Sequence, residues 1–226
     1  MRFLTAFLAF FGVFLNADTR IEFHSQAHQD EFVYTILYGL QGKKGPGCYL
    51  EIGAGEPVFI NNTYFFEKSC GWQGVSVDIL DYLMPRWDAL RSNPLLIEDA
   101  IQLDYVSVLN PFPQVIDYLS LDVDGYYDAV LRQVMQSNKL FKVITIEHDA
   151  YRYGDVYRTK EREILRELGY YLLCADVCHN SCTFEDWWVW PGFFEHSVFD
   201  KLTSLDLNGK DCGEIMRKIR SVQRFF

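Results

Sequence analysis

Short apolar runs alternate with amphipathic segments along most of this chain. "CYLEIGA", opening at Cys48, has strand length, and the segment from Ile60 to Lys68 has helical character. "GVSVDI", Gly74 to Ile79, predicts a second strand. Tyr82 to Arg91 predicts a second helix, with Pro85 in its first turn, where proline is tolerated. "PLLIEDA" ending at Ala100 and "VIDYLSLDV" ending at Val123 predict the third and fourth strands. In the following "DGYYDAVLRQVM", Val130, Leu131, Val134 and Met135 recur at helical spacing. The β-branched "FKVITIEHD" predicts a fifth strand. Thr159 to Leu168 predicts a charged helix with Ile164, Leu165 and Leu168 on one face, closed by Gly169.

"YYLLCADV" and "CTFEDWWVW" then follow with little between them, which predicts an antiparallel hairpin at the sheet edge. A helical piece from Gln26 to Tyr38 precedes the sheet, separated from it by the linker "LQGKKGPG", Leu40 to Gly47. Strands alternating with helices imply a parallel sheet covered on both faces. The expected fold is therefore α/β and Rossmann-like: a mostly parallel seven-stranded sheet, helices on both faces and a C-terminal antiparallel hairpin. No internal repeat interrupts it, and residues 21–226 read as one domain.

Composition narrows the partners. Of 226 residues, 49% are hydrophobic, ample for one packed core. The net charge is −10, and neither Lys43-Lys44 nor "RKIR" ending at Arg220 makes a basic patch. A nucleic-acid partner is not expected. Residues 1–20 read differently: Arg2, an apolar run from Phe3 to Leu15, then Ala17. That is the layout of a secretory signal or a membrane-facing anchor, too short to span a bilayer. An exported or membrane-associated protein is expected, or a cytoplasmic one if the segment is not processed. The six cysteines do not decide between disulfides and free thiols.

Ligands of open α/β sheets bind beyond the carboxyl ends of the strands. The first strand ends in Glu51, Gly53 and Gly55, and glycines let a backbone approach a ligand closely. Asp78 ends the second strand, placed to accept from ribose hydroxyls, with Ile79 beside it. Asp99 and Ala100 end the third, Asp122 and Asp124 the fourth, and Glu147 and His148 the fifth. Any of these aspartates also suits a helix N-cap, Asp124 before Gly125 above all. A dinucleotide loop needs a third glycine where this chain has Val58. S-adenosylmethionine has ribose and adenine but no phosphate, and an acid such as Glu51 suits its cationic amine and sulfonium.

These residues resemble the FkbM-type S-adenosylmethionine-dependent methyltransferases between roughly Ser25 and Pro191. "SQAHQDEFV" is similar to that family's N-terminal signature. "YLEIGAGEPVFINNTYFFEKSCGWQGVSVDI" resembles its first two strands, with the Asn-Thr pair and the Gly-Trp-x-Gly turn. "YLSLDVDGYYDAVL" and "FEDWWVWP" resemble two later elements. The resemblance implies a class I methyltransferase fold and methylation of a hydroxyl on a sugar, glycan or small metabolite. It would place Glu51, Gly53 and Gly55 at the methionine end, Asp78 at the ribose, and Asp99 and Ala100 at the adenine; Asn62 and Ile79 complete the expected cofactor set. Two positions depart from the family pattern: Pro57 replaces a glycine, and Tyr127 replaces a glutamate. They motivate the alternative of a non-catalytic cofactor-binding or interaction module.

Methyl transfer to a hydroxyl commonly uses a base. The candidates are Asp122, Asp124 and His148. Asp122, Glu147 and Asp149 offer hard oxygen ligands for Mg²⁺ as a less favoured variant. Cys174, Cys178, His179 and Cys182 lack the usual zinc-knuckle spacing. The aromatic run "EDWWVW" with Phe193 and Phe194 fits core packing better than a sugar-stacking wall.

Overall fold

The computed structural model describes residues 21–223, so the signal-like segment lies outside the described residues. Seven strands form one sheet in the order β3-β2-β1-β4-β5-β7-β6. They are β1 (Cys48–Ile52), β2 (Gln73–Asp78), β3 (Leu95–Ile97), β4 (Val115–Leu121), β5 (Leu140–Glu147), β6 (Tyr171–His179) and β7 (Cys182–Val189). The first five run parallel, and β7 lies antiparallel between β5 and β6. The hairpin turns at Asn180 and Ser181, both with positive φ (50° and 66°). That backbone matches the strand twist of a tight β-hairpin.

Two apolar layers cover the sheet. On one face Tyr49, Phe66, Trp72, Tyr118 and Trp187 pack with α1 (Gln29–Tyr34) and with α9 (Cys212–Gln223) through Ile215, Met216 and Ile219. On the other, Leu50, Leu119, Ile144 and Trp188 pack against α5 (Tyr127–Met135) and α7 (Val156–Glu167). Trp187 and Trp188 are fully buried on opposite faces, as alternation along β7 requires. The aromatic run at the hairpin is therefore mainly core.

The helices differ from the sequence pattern in instructive places. α2 (Tyr64–Cys70) starts at Tyr64, not Ile60. Ile60 is left-handed (φ 54°), and the fully buried Asn61 accepts through Oδ1 from the N–H groups of Thr63 (3.0 Å) and Tyr64 (2.7 Å). This Asx turn holds the chain out of helix until Thr63. α3 is Met84–Leu90, after a 3₁₀ turn at Asp81–Leu83. β3 spans three residues only. On α7, Ile164 and Leu165 are buried as expected, but Leu168 falls past the helix end and is 43% exposed. Glu161 takes the buried place instead. Short helices α4 (Tyr105–Leu109), α6 (Ala150–Tyr153) and α8 (His196–Thr203), a π-helical segment Thr35–Leu40 directly after α1 and a 3₁₀ turn Pro191–Phe193 complete the set among the described residues.

Candidate functional site

A cavity of about 490 Å³ opens beyond the carboxyl ends of β1, β2, β3 and β4. Of the cofactor residues expected from sequence, it gathers Gly53, Gly55, Asp78, Ile79, Asp99 and Ala100, together with Asp122 and Asp124. Among the described residues its charged lining consists of Asp78, Glu98, Asp99, Asp122 and Asp124, with no basic side chain. Ile79 is 68% exposed at the rim and Ile101 37%, giving apolar surface on the same side.

Backbone geometry builds the floor. Gly53 has φ 80°, and a Cβ there would sit 1.6 Å from the carbonyl oxygen of Asp122. Only glycine lets the ends of β1 and β4 come this close. Gly55, at φ 56°, has no heavy atom within 4 Å of its would-be Cβ, so it borders open space. Its N–H donates to Asp78 Oδ2 at 2.8 Å, and the N–H of Leu80 donates to Oδ1 at 2.9 Å. Each carboxylate oxygen of Asp78 keeps a lone pair for a further donor.

The loop carrying Pro57 is tied from behind by a residue the sequence pattern did not single out. Arg91, just past α3, has a side chain with no exposed surface. Its guanidinium uses every N–H: Nε to Glu67 (2.7 Å), Nη1 to the Pro57 carbonyl (3.0 Å) and Asn61 Oδ1 (3.1 Å), Nη2 to Tyr49 Oη and Thr63 Oγ1 (both 2.9 Å). It also lies over Trp87 at 4.3 Å. Glu51 belongs to this buried network and not to the cavity lining. Its Oε2 accepts from Thr63 Oγ1 (2.9 Å) and Ser76 Oγ (2.7 Å), and burial pushes its carboxyl above the usual range. Asn62 likewise donates to Ser120 Oγ (2.9 Å) and stands outside the cavity lining.

Behind Asp122 the acids crowd. Burial raises Asp122, and the charges of Asp149 and Asp124 raise it further. Glu147 rises more, through burial, then through the charge and hydrogen bond of Asp122. Two neighbouring carboxyls out of water cannot both ionise, so the pair shares a proton held mainly by Glu147. Glu185 faces Glu147 across the β5–β7 ladder. Burial pushes it up to about 8, while Trp187 Nε1 (2.7 Å) and Gln29 Nε2 (3.1 Å) donate to its Oε2. Gln29 thus links the N-terminal "SQAHQD" motif to the acids. Asp30 of that motif instead holds the preceding segment, accepting from Ser25 Oγ (2.5 Å) and the His24 N–H (2.5 Å). Tyr127 is fully buried and donates to Asp149 Oδ2 at 2.9 Å. Asp149 (φ 46°), Tyr126 (φ 56°) and Ile60 are left-handed non-glycine residues in three loops at this end of the sheet, conformations that cost energy and cluster at functional sites.

His148 stands apart. It is fully buried, accepts the Ala150 N–H at Nδ1 (3.1 Å), and turns Nε2 toward Asp186 (3.6 Å) and Asp176 (3.8 Å). It does not line the cavity. Asp124 lines the rim with its side chain 91% exposed, beside Arg152 at 3.2 Å. It does not cap α5, whose N-cap is Tyr126. Among the described residues, the three acids considered for Mg²⁺ do not converge as a ligand set; His148, Asp176 and Asp186 do. Arg162 already bonds both of those aspartates (2.8 and 2.7 Å) and Arg158 bonds Asp176 (2.6 Å), which compensates their charge.

The strand order, with β7 inserted antiparallel beside β5, defines a Rossmann-like class I methyltransferase fold. No family model matches the chain. No curated protein matches it either. Among solved structures, it is similar to the N-methyltransferase NodS from Bradyrhizobium japonicum in complex with S-adenosyl-L-homocysteine (15% identity, TM-score 0.45, covering 71% of this chain and 86% of that one). It is also similar to the METTL16 methyltransferase domain (14%, TM-score 0.49, 73% and 66%). A third is precorrin-6y C5,15-methyltransferase from Geobacter metallireducens (15%, TM-score 0.46, 70% and 86%). The strand order defines the fold class independently of these likenesses.

Proposed function

We propose that this chain is an S-adenosylmethionine-dependent methyltransferase of the FkbM type that methylates a hydroxyl of a sugar, glycan or small metabolite. The observation that carries the reading is the cavity at the carboxyl end of the sheet, walled by acids and, among the described residues, without a basic side chain. A pyrophosphate would meet repulsion there, whereas a phosphate-free, cationic nucleoside meets complementary charge. The residues present fit that cofactor. Asp78 offers acceptors to a ribose, Asp99 and Ala100 stand beside the apolar Ile79 and Ile101 for a base, and Gly55 leaves open space at the loop.

When bound, the cofactor supplies an electrophilic methyl group. Asp122, at the cavity and hydrogen-bonded to Glu147, supplies the base. Its raised proton affinity makes it a better acceptor for a hydroxyl proton than an ordinary aspartate. The test is incubation with methyl-labelled S-adenosylmethionine and a panel of saccharides, polyols and amines. Label recovered in base-stable ethers, abolished by Asp122→Asn, supports the reading. Label recovered only on nitrogen sinks the hydroxyl acceptor.

A further inference from the structure

At the opposite end of the sheet, a second cavity of about 170 Å³ is lined by Leu37, Gln41, Lys43, Lys142, Phe193 and Phe194. We infer that it is a binding site for a small carboxylic acid, the carboxylate held between Lys43 and Lys142 and the apolar body against Leu37, Phe193 and Phe194.

Charge is the first argument. Lys43 Nζ (3.1 Å) and Lys142 Nζ (2.6 Å) both reach a single oxygen, Asp117 Oδ1. The other oxygen of Asp117 accepts the Cys48 N–H at 3.0 Å. Two ammonium groups therefore share one carboxylate, leaving an excess positive charge in a chain whose net charge is −10. Their side chains are only 15% and 24% exposed, so water screens this excess incompletely. Each ammonium has three N–H donors, and Asp117 uses one from each.

The second argument is an unpaired donor. The side-chain nitrogen of Gln41 is buried and has no hydrogen-bond partner among the described residues. A buried donor without an acceptor is costly; turning the Gln41 amide over presents it to the cavity, where a ligand oxygen would satisfy it. The third is the wall itself. Phe193 lies under Lys142 (5.3 Å from ammonium to ring centre), so cation and apolar surface adjoin. A bare phosphate would use the charges and waste the wall; an aromatic or branched aliphatic acid uses both.

The test is calorimetric titration of the full chain with benzoate, benzyl alcohol and inorganic phosphate, repeated on Lys142→Gln, Lys142→Arg and Phe193→Ala. The expected result is benzoate binding that weakens at least tenfold in Lys142→Gln and in Phe193→Ala, persists in Lys142→Arg, and exceeds both phosphate and benzyl alcohol. Matching thermal melts of the variants keep a folding defect from imitating the loss. Absence of benzoate binding, equal binding by wild type and Lys142→Gln, or equal binding of phosphate or benzyl alcohol overturns the inference. The outcome is independent of the cofactor reading, because this cavity shares no residue with the other.

Discussion

Arg91 Nη1 donates to the carbonyl of Pro57 at 3.0 Å, and this bond fixes the turn that follows the Gly53–Gly55 loop. The same guanidinium holds Asn61 and Thr63, so a single cation joins the loop, the start of α2 and the interior of β1 through Tyr49. Proline at 57 is compatible with this arrangement, because the bond uses its carbonyl and needs no N–H.

Arg91→Met is expected to destabilise the fold by about 3–5 kcal/mol, since it strands Glu67 and several hydroxyl and amide acceptors out of water. Arg91→Lys should recover little, because an ammonium cannot reproduce the planar fork. Urea denaturation of both variants checks this. A loss below ~1 kcal/mol for Arg91→Met would show the network to be dispensable.

Gly53 and Gly55 should respond unequally to alanine. At Gly53 a Cβ collides with the backbone of Asp122, at 1.6 Å. The cost there is expected to exceed about 3 kcal/mol, from the clash and the left-handed conformation together. At Gly55 only the conformational cost of about 1 kcal/mol applies. The Gly55→Ala protein should fold and bind the cofactor more weakly. Melting temperatures and titrations of the two proteins separate these effects.

Stability should fall as pH rises from 4.5 to about 8. Glu185 has an ordinary value of 4.5 in the unfolded chain and about 8 when folded, so between these the folded state binds the extra proton. Its contribution is complete below pH 4.5 and is lost as pH climbs to about 8. The slope from this group approaches roughly 1 kcal/mol per pH unit in that window. Glu185→Gln keeps an oxygen for Trp187 and Gln29 and removes the titration. Urea midpoints between pH 5 and pH 9 should flatten in that variant; an unchanged profile would mean that Glu185 ionises freely.

Tyr127→Phe removes the hydroxyl that donates to Asp149. About 1–2 kcal/mol of stability should be lost, because a buried acceptor, Asp149 Oδ2, loses its donor. If Tyr127 also positions Asp149 near the acid pair, the variant's methyl-transfer rate should fall more than its cofactor affinity. Parallel denaturation and single-turnover measurements distinguish the two.

Most of the sheet was legible because apolar runs of strand length, punctuated by amphipathic segments, are what a doubly covered parallel sheet demands. The hairpin was legible from the shortness of its link. Side-chain direction at the strand ends was harder to read. Glu147 and His148 are adjacent, yet one joins the acids beside Asp122 and the other turns toward Asp186 on the α7 side. Alternation decides this, and it required knowing where β5 ends. Glu51 reads as a cofactor ligand because it ends β1; in the fold its Oε2 accepts from Thr63 and Ser76, contacts that strand position alone does not reveal. Arg91 and Asn61 were invisible for a different reason. Their partners, from Tyr49 to Glu67, come together only through tertiary folding, and an arginine beside a helix end ordinarily reads as exposed.

The central claim is that the acid-walled cavity takes S-adenosylmethionine through Asp78. Isothermal titration of the full chain with S-adenosylmethionine and with NADH, on wild type and Asp78→Ala, tests it most directly. The account predicts heat of binding with S-adenosylmethionine alone, reduced at least tenfold by Asp78→Ala. Binding of NADH in its place, or S-adenosylmethionine binding untouched by Asp78→Ala, would contradict it.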